Sequence, residues 1–223
     1  MPHRNDRPKF LEQFHRILSR QTVKPDILEI VDYEPKSNQK DITQRYVFGY
    51  DKLRAKRLDV IAFMEIDDWY SPNYCEVMLK NWDSFGRPQL FGIDHTVYYH
   101  LAVKKSFIFK HPGRSSMMNT LLVPDLDINW CADDYPYTDA FLWKLFKGVS
   151  HNPKQIITLG IKHGIGMSGG RWHTEGLQRY NQTNVNLESL VGEDIEFYNN
   201  IYPETTRLIR TKKNGLCLFN FAK

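Results

Sequence analysis

Apolar residues recur at helical spacing near the start of the chain and form short continuous runs further along it. The spacing of apolar residues predicts a helix over about 8 to 20. A second helix is predicted after Asp41, which can act as its N-cap. The β-branched run over 26–32 is bounded by prolines, so it is predicted to be a strand that ends in Asp32.

The segment 59–68 is almost continuously apolar until it ends in carboxylates. Such a run is typical of a strand that is buried on both faces of a mostly parallel sheet. Ser71 and Pro72 then predict the start of a helix, with Ser71 as its N-cap. Further strands are predicted over 90–103, 106–109 and 155–162, and a further helix over 138–147. Alternation of strands and helices indicates an α/β fold with a mostly parallel sheet flanked by helices.

Composition and charge exclude several classes of protein. Hydrophobic residues make up 41% of the 223 residues and charged residues 25%, which is typical of a soluble globular protein and not of a disordered or fibrous one. No apolar run approaches the roughly 20 residues needed to span a bilayer, and the polar start is not a secretory signal, so we expect a cytoplasmic protein without a membrane partner. The three cysteines are far apart, which favours buried free thiols over a disulfide framework. A net charge of +4 suits polyanionic partners without requiring them.

Three carboxylates, those of Glu65, Asp67 and Asp68, stand at the end of the predicted central strand. Ligands bind at the carboxyl ends of strands in open α/β sheets. Because three neighbouring carboxylates repel one another, a divalent cation with oxygen ligands is one interpretation of the cluster. The alternative is that Asp67 and Asp68 only favour the start of the following helix through its dipole.

Two segments resemble family-2-like glycosyltransferases of the GT-A fold, a Rossmann-like architecture. The first contains Arg7-Pro8-Lys9-Phe10-Leu11, then Gln21, Lys24-Pro25-Asp26 and Ile30-Val31-Asp32. The second is Ala62-Phe63-Met64-Glu65-Ile66-Asp67-Asp68-Trp69-Tyr70-Ser71-Pro72, which is similar to the D-x-D signature of that family. The resemblance covers residues 4 to 82 well and the remainder loosely.

The resemblance implies an inverting transfer of a sugar from a nucleotide sugar, most often a UDP-sugar, with Mn²⁺ or Mg²⁺ bridging the donor's diphosphate to the D-x-D acids. It implies one domain over 1–223, with a nucleotide-sugar-binding half over 1–95 and an acceptor and catalytic half over 96–223. Asp67 matches the metal-binding acid, and Glu65 stands where an aspartate is commoner. Asp32 matches the acid that contacts the nucleoside, and the expected donor contacts also include Asp68, His3 and Asn5.

The same resemblance implies a carboxylate base at the start of a later helix. Asp139 is the best match, and Asp134 and Asp194 are alternatives. Asp194 lies in Gly192-Glu193-Asp194, which resembles the base motif of the family locally. The shorter separation of Asp139 from Asp67 suits the order of the family better, although Asp139 could instead be only a helix cap.

A glycine-rich loop after the last predicted strand carries His163, which the resemblance makes a candidate third metal ligand. Gly166 can bring backbone amides close to phosphate oxygens, and His173 is a weaker candidate for the metal or the diphosphate. The loop also contains Gly164-x-Gly166-x-x-Gly169, formally a dinucleotide fingerprint. This fingerprint should open the first strand–helix–strand unit, so a nicotinamide oxidoreductase is disfavoured.

The leading hypothesis is therefore a metal-dependent glycosyltransferase. Its acceptor is a hydroxyl of a saccharide, lipid or protein, or of modified, hydroxymethylated DNA. One alternative is a non-catalytic module on the same fold that binds carbohydrate or nucleic acid through aromatic and basic residues. A glycosidase with two carboxylates flanking the scissile bond is a further alternative, which the clustering of acids at one strand end disfavours.

Overall fold

The computed structural model describes residues 1–2, 7–34, 40–135, 137–164 and 181–201 of the chain. These residues belong to two structural units. The first unit contains Met1–Thr96 and Lys110–Thr158, and the second contains Val97–Phe109 and the described residues from Leu159 onward. The chain therefore passes from the first unit into the second twice.

Four helices of the first unit follow the periodicity of the sequence. They are α1 (Pro8–Ser19), α2 (Ile42–Arg54), α3 (Tyr74–Ser84) and α4 (Thr138–Leu145). Proline suits the first turn of α1, where its missing N–H would have no partner within the helix. Phe14 and Ile17 of α1 are buried at helical spacing. The predicted helices over 8–20, after Asp41 and over 138–147 are thus confirmed to within a few residues.

The third helix starts later than the sequence predicts. It begins at Tyr74 with Asn73 in the N-cap position, and not with Ser71 as its cap. The Ser71 hydroxyl instead donates a hydrogen bond to Asn73 Oδ1 over 2.7 Å, and its backbone N–H donates to the Ile157 carbonyl. The Ser71 hydroxyl is thus engaged with the Asn73 side chain, and the helix begins three residues after Ser71.

The first unit contains a four-stranded sheet of mixed direction. Its strands are β1 (Ile61–Ala62), β3 (Leu90–Ile93), β6 (Thr120–Leu122) and β7 (Gly148–His151), in the order β1-β6-β3-β7. The β1–β6 and β3–β6 pairs are antiparallel, and only β3–β7 is parallel. The short β1 is an edge strand with Ala62 exposed, so the predicted central strand buried on both faces is wrong.

The predicted strand over 26–32 does not form in the structure. Only Val31 forms an isolated bridge, which is parallel and joins it to Pro2. The Val31 N–H donates to the Met1 carbonyl over 2.8 Å. A β-branched run does not make a strand by itself, because a strand also needs a partner along its length.

The second unit carries a second mixed ladder. Its strands are β4 (His95–His100), β5 (Lys105–Lys110), β8 (Thr158–Lys162) and β9 (Asn181–Thr183). The first two residues of β4, the last residue of β5 and the first residue of β8 are assigned to the first unit. The β4–β8 pair is parallel and the β5–β9 pair is antiparallel. The connection over 101–104 is too short for the crossover that parallel neighbours need. The architecture is therefore mixed α/β with two mixed sheets, and the predicted mostly parallel sheet is wrong.

Shorter elements complete the described fold. In the first unit they are β2 (Trp69–Tyr70) and a 3₁₀ turn over Met117–Asn119. The second unit adds α5 (Leu187–Val191), a 3₁₀ turn over Gly192–Asp194 and helical backbone over 195–201. No helix in the described part of the chain has the length and apolar character to cross a membrane.

The core of the first unit joins α2 and α4 to the sheet. Its buried residues include Tyr46, Tyr50, Phe63, Leu90, Leu122, Leu142 and Trp143. The Tyr46 and Phe63 rings meet edge to face with 5.1 Å between their centroids. Cys75 and Cys131 are free thiols, and both are partly exposed instead of buried as predicted. This core fixes α2 beside the end of β1, where the carboxylate cluster lies.

Candidate functional site

A tight turn after β1 gathers the three predicted acids. The Glu65 N–H donates to the Tyr70 hydroxyl over 2.7 Å. Tyr70 is 1% exposed, so this hydrogen bond ties the turn to the interior of the unit. Burial, followed by the nearby charge of Asp68, raises the pKa of Tyr70 well above its usual value. The phenol therefore stays neutral and holds the turn as a hydrogen-bond partner.

The turn places Glu65, Asp67 and Asp68 side by side. One potential ligand atom from each residue lies within 4.8 Å of those of the other two. Asp68 is buried, and the other two are partly exposed. Two oxygens on opposite sides of one ion stand about 4.2 Å apart for Mg²⁺ and about 5 Å apart for Ca²⁺. The upper limit of 4.8 Å is below the span for Ca²⁺ and above that for Mg²⁺, so the cluster could hold a hard divalent cation, and Mg²⁺ would require the carboxylates to draw closer together.

Arg7 contacts the same cluster. Its guanidinium Nη1 lies 2.8 Å from Asp67 Oδ2, and the two side chains are 17% and 24% exposed. Arg7 immediately precedes α1, so the helix start brings the cation to an acid 60 residues further along the chain. This ion pair compensates the negative charge of one of the three carboxylates. A metal ion bound to the cluster would share the Asp67 carboxylate with the Arg7 guanidinium.

Tyr46 of α2 reaches the cluster from a helix that precedes β1 in the chain. Its hydroxyl donates a hydrogen bond to Glu65 Oε1 over 2.9 Å. Burial, then the charge of Glu65 and the hydrogen bond to it, then the charges of Asp139 and Asp67, raise the pKa of Tyr46 well above its usual value. The predicted metal acids and the predicted base thus act electrostatically on one buried hydroxyl.

Asp139, the predicted base, lies in the first turn of α4. Its Oδ2 accepts a hydrogen bond from Arg114 Nη1 over 2.5 Å, and its Oδ1 accepts one from the Ala140 N–H over 2.8 Å. Of the two alternatives, Asp134 is exposed before α4, and Asp194 is buried in the 3₁₀ turn of the second unit. Asp139 is the one of these acids whose charge acts on Tyr46 together with the cluster.

The remaining predicted site residues are spread over the chain. Asp32 is exposed in the first unit, directly after the bridged Val31. His163 is buried in the second unit, directly after β8, and its role as a metal ligand stays a prediction. The predicted donor and phosphate contacts His3, Asn5, Gly166 and His173 lie outside the described residues.

Sequence reasoning missed three contacts of the site. These are the contact of Tyr46 with Glu65, that of Arg7 with Asp67 and that of Arg114 with Asp139. A tyrosine on an apolar helix face does carry a signal, because a buried hydroxyl needs a hydrogen-bond partner. The identity of that partner depends on which elements pack together, and the sequence pattern does not contain it.

Comparison with models of known protein families found no match. Comparison with curated proteins found no significant match.

Proposed function

We propose that the protein is a metal-dependent, inverting glycosyltransferase. It transfers a sugar from a nucleotide sugar, by its resemblance a UDP-sugar, to a hydroxyl acceptor, and does so on a mixed α/β framework. The observation that carries the proposal is the cluster of Glu65, Asp67 and Asp68, whose potential ligand atoms lie within 4.8 Å of one another in the segment that resembles the D-x-D signature.

The cluster would hold Mn²⁺ or Mg²⁺, and the bound ion would neutralise the charge that develops on the departing nucleoside diphosphate. Oxygen ligands alone suit these hard cations better than zinc or copper. Arg7, which pairs with Asp67, is a cation beside the same negative charges and would contact a donor phosphate bound there. Asp32, exposed near the start of the first unit, is the proposed nucleoside contact.

Asp139 is the proposed base that accepts the proton of the acceptor hydroxyl. Its two carboxylate oxygens are oriented by Arg114 and by the Ala140 N–H, which fixes the side chain in one direction. A positioned carboxylate of this kind contributes about 10² to 10⁴-fold to a reaction rate. The geometry of an arginine-held acid in a helix first turn is the structural support for this role.

Exposed aromatic residues favour a second candidate function, a non-catalytic module that binds carbohydrate. Tyr137 is 61% exposed and Tyr135 is 36% exposed, both just before α4. Their rings meet edge to face at 6.4 Å. Exposed aromatic faces can stack on sugars or bases without any metal. Binding that ignores both Mn²⁺ and Asp67 would favour this second candidate.

The test is binding and turnover of a UDP-sugar by the purified chain with and without Mn²⁺. We expect Mn²⁺-dependent binding by calorimetry and slow release of UDP. Asp67→Asn is expected to abolish both, and Asp139→Asn is expected to keep binding and lose UDP release. Asp59→Asn is the matched control, since that side chain is 83% exposed just before β1. Unchanged binding and turnover in Asp67→Asn would refute the proposal.

Modified DNA is a proposed acceptor of lower rank than a saccharide. A DNA acceptor requires phosphate contacts, which release counterions and make the affinity fall steeply with salt. Titration of hydroxymethylated duplex DNA at two salt concentrations measures this directly. An affinity independent of salt would remove DNA from the set of acceptors.

A further inference from the structure

The tyrosine that contacts the carboxylate cluster comes from a separate helix. Tyr46 lies on α2, is 3% exposed, and packs its ring edge to face against Phe63 just after β1. Its hydroxyl donates to Glu65 Oε1 over 2.9 Å. The ring belongs to the core of the first unit, whereas the hydroxyl belongs to the cluster. The two parts of the side chain can therefore be tested separately.

Glu65 is the member of the cluster that most needs such a tether. A glutamate carries one more rotatable bond than an aspartate, so more conformational freedom is lost when its carboxylate becomes a ligand. Side chains that hydrogen-bond to a metal ligand orient it, and their mutation commonly costs about 10 to 100-fold in metal affinity. Tyr46 is a rigid partner of this kind, because its ring is locked by packing.

We infer that Tyr46 is a positioning residue that holds the Glu65 carboxylate in the orientation required to bind a divalent cation. The inference rests on the proposed function, because it takes the cluster to be a cation site. It adds that α2 helps to build this site, and that Glu65 contributes a ligand although an aspartate is commoner at its position.

Tyr50 provides a matched control on the same helix. It is also fully buried, at 1% exposure, and its hydroxyl donates to the backbone carbonyls of Pro124 and Leu126 over 3.0 and 2.8 Å. Removal of either hydroxyl takes one donor from a buried position. Only Tyr46→Phe removes a donor from a carboxylate of the cluster. If the Tyr46 hydroxyl only stabilised the fold, Tyr46→Phe and Tyr50→Phe would have the same effect on metal binding.

The experiment is titration of the full chain with Mn²⁺ alone, with the free ion measured by electron paramagnetic resonance. We expect Tyr46→Phe to bind Mn²⁺ about 10 to 100-fold more weakly than the wild type. Tyr50→Phe is expected to bind as the wild type does, even if its melting temperature falls. In a double-mutant cycle, Tyr46→Phe is expected to add little to the effect of Glu65→Gln, because both act through the same carboxylate.

The outcomes separate the inference from the proposed function. If the wild type binds Mn²⁺ and Tyr46→Phe binds equally well, the inference is overturned and the metal site stands. If the wild type does not bind Mn²⁺ at all, both fail together. If Tyr46→Phe does not fold, Glu65→Asp replaces it, because this variant keeps a carboxylate but withdraws it from the hydroxyl by one methylene. Weaker Mn²⁺ binding by Glu65→Asp supports the inference, and unchanged binding overturns it.

Discussion

Replacement of Arg45 is expected to destabilise the first unit strongly. Arg45 is completely buried on α2. Its Nε and Nη2 donate to Asp41 Oδ2 over 3.0 and 2.8 Å, and other donors of the guanidinium reach the carbonyls of Val31 and Tyr33. These two carbonyls flank Asp32. One buried cation thus holds both the start of α2 and the segment that carries the proposed nucleoside contact.

The magnitude follows from what Arg45→Ala leaves behind. The Asp41 side chain is only 11% exposed, so it would become a largely buried carboxylate without its cation. Loss of one partner from a buried ion pair costs about 3 to 5 kcal/mol. The guanidinium also lies 4.1 Å from the centre of the Tyr33 ring, a contact worth about 0.5 to 2 kcal/mol. A loss of about 4 kcal/mol is large against a typical total stability of about 5 to 15 kcal/mol.

Urea unfolding followed by circular dichroism measures this loss. Arg54→Ala is the control, since Arg54 lies on the same helix, is 38% exposed and stands 4.0 Å from Asp51. An exposed pair of this kind is worth about 0 to 1 kcal/mol. The stability loss of Arg45→Lys is expected to lie between those of Arg45→Ala and Arg54→Ala. A lysine keeps the positive charge but cannot reproduce the planar, forked donor geometry of the guanidinium. The reasoning fails if Arg45→Ala loses no more stability than Arg54→Ala.

Three further predictions concern pH, packing and the cation site. Burial, aided by nearby cations, lowers the pKa of His111 from 6.5 to about 4, so the unfolded chain binds more protons between these values. The free energy of unfolding should therefore fall as the pH drops from 7 towards 4. Urea midpoints measured over this range should fall less in His111→Gln than in the wild type. An equal fall in both proteins would contradict the assignment of this pH dependence to His111. Gly92→Ala would place a Cβ 2.4 Å from Ser115 Cβ, which is too close for two carbon atoms. Urea unfolding should therefore show a loss of about 1 to 3 kcal/mol in the free energy of unfolding. An unchanged urea midpoint would refute this close packing. Arg7→Gln should bind Mn²⁺ alone a few-fold more tightly because it removes the cation that competes for Asp67, and weaker binding in the same titration would contradict this.

The local elements of the fold could be predicted from the sequence. The apolar spacing in α1 depends on neighbours within a few residues, so the position of this helix follows from the chain itself. Asp41 takes the N-cap position of α2 as predicted, but its carboxylate pairs with Arg45 and makes no capping hydrogen bond. The acids Glu65, Asp67 and Asp68 could be singled out for the same reason, because they lie together in a short segment. Their proximity in the structure is largely a consequence of that spacing.

Contacts between segments that are distant along the chain decided the sheet topology and the partners of the site residues. The sequence does not say that β6 lies between β1 and β3, and this placement makes the sheet mixed and leaves β1 at an edge. Nor does it say that Arg7, Tyr46 and Arg114 meet the acids of the site, since each contact joins segments that are distant along the chain. Hydrophobic spacing reports which face of an element is buried, but burial is non-directional, and only packing of the whole unit selects the partner that a buried polar group meets.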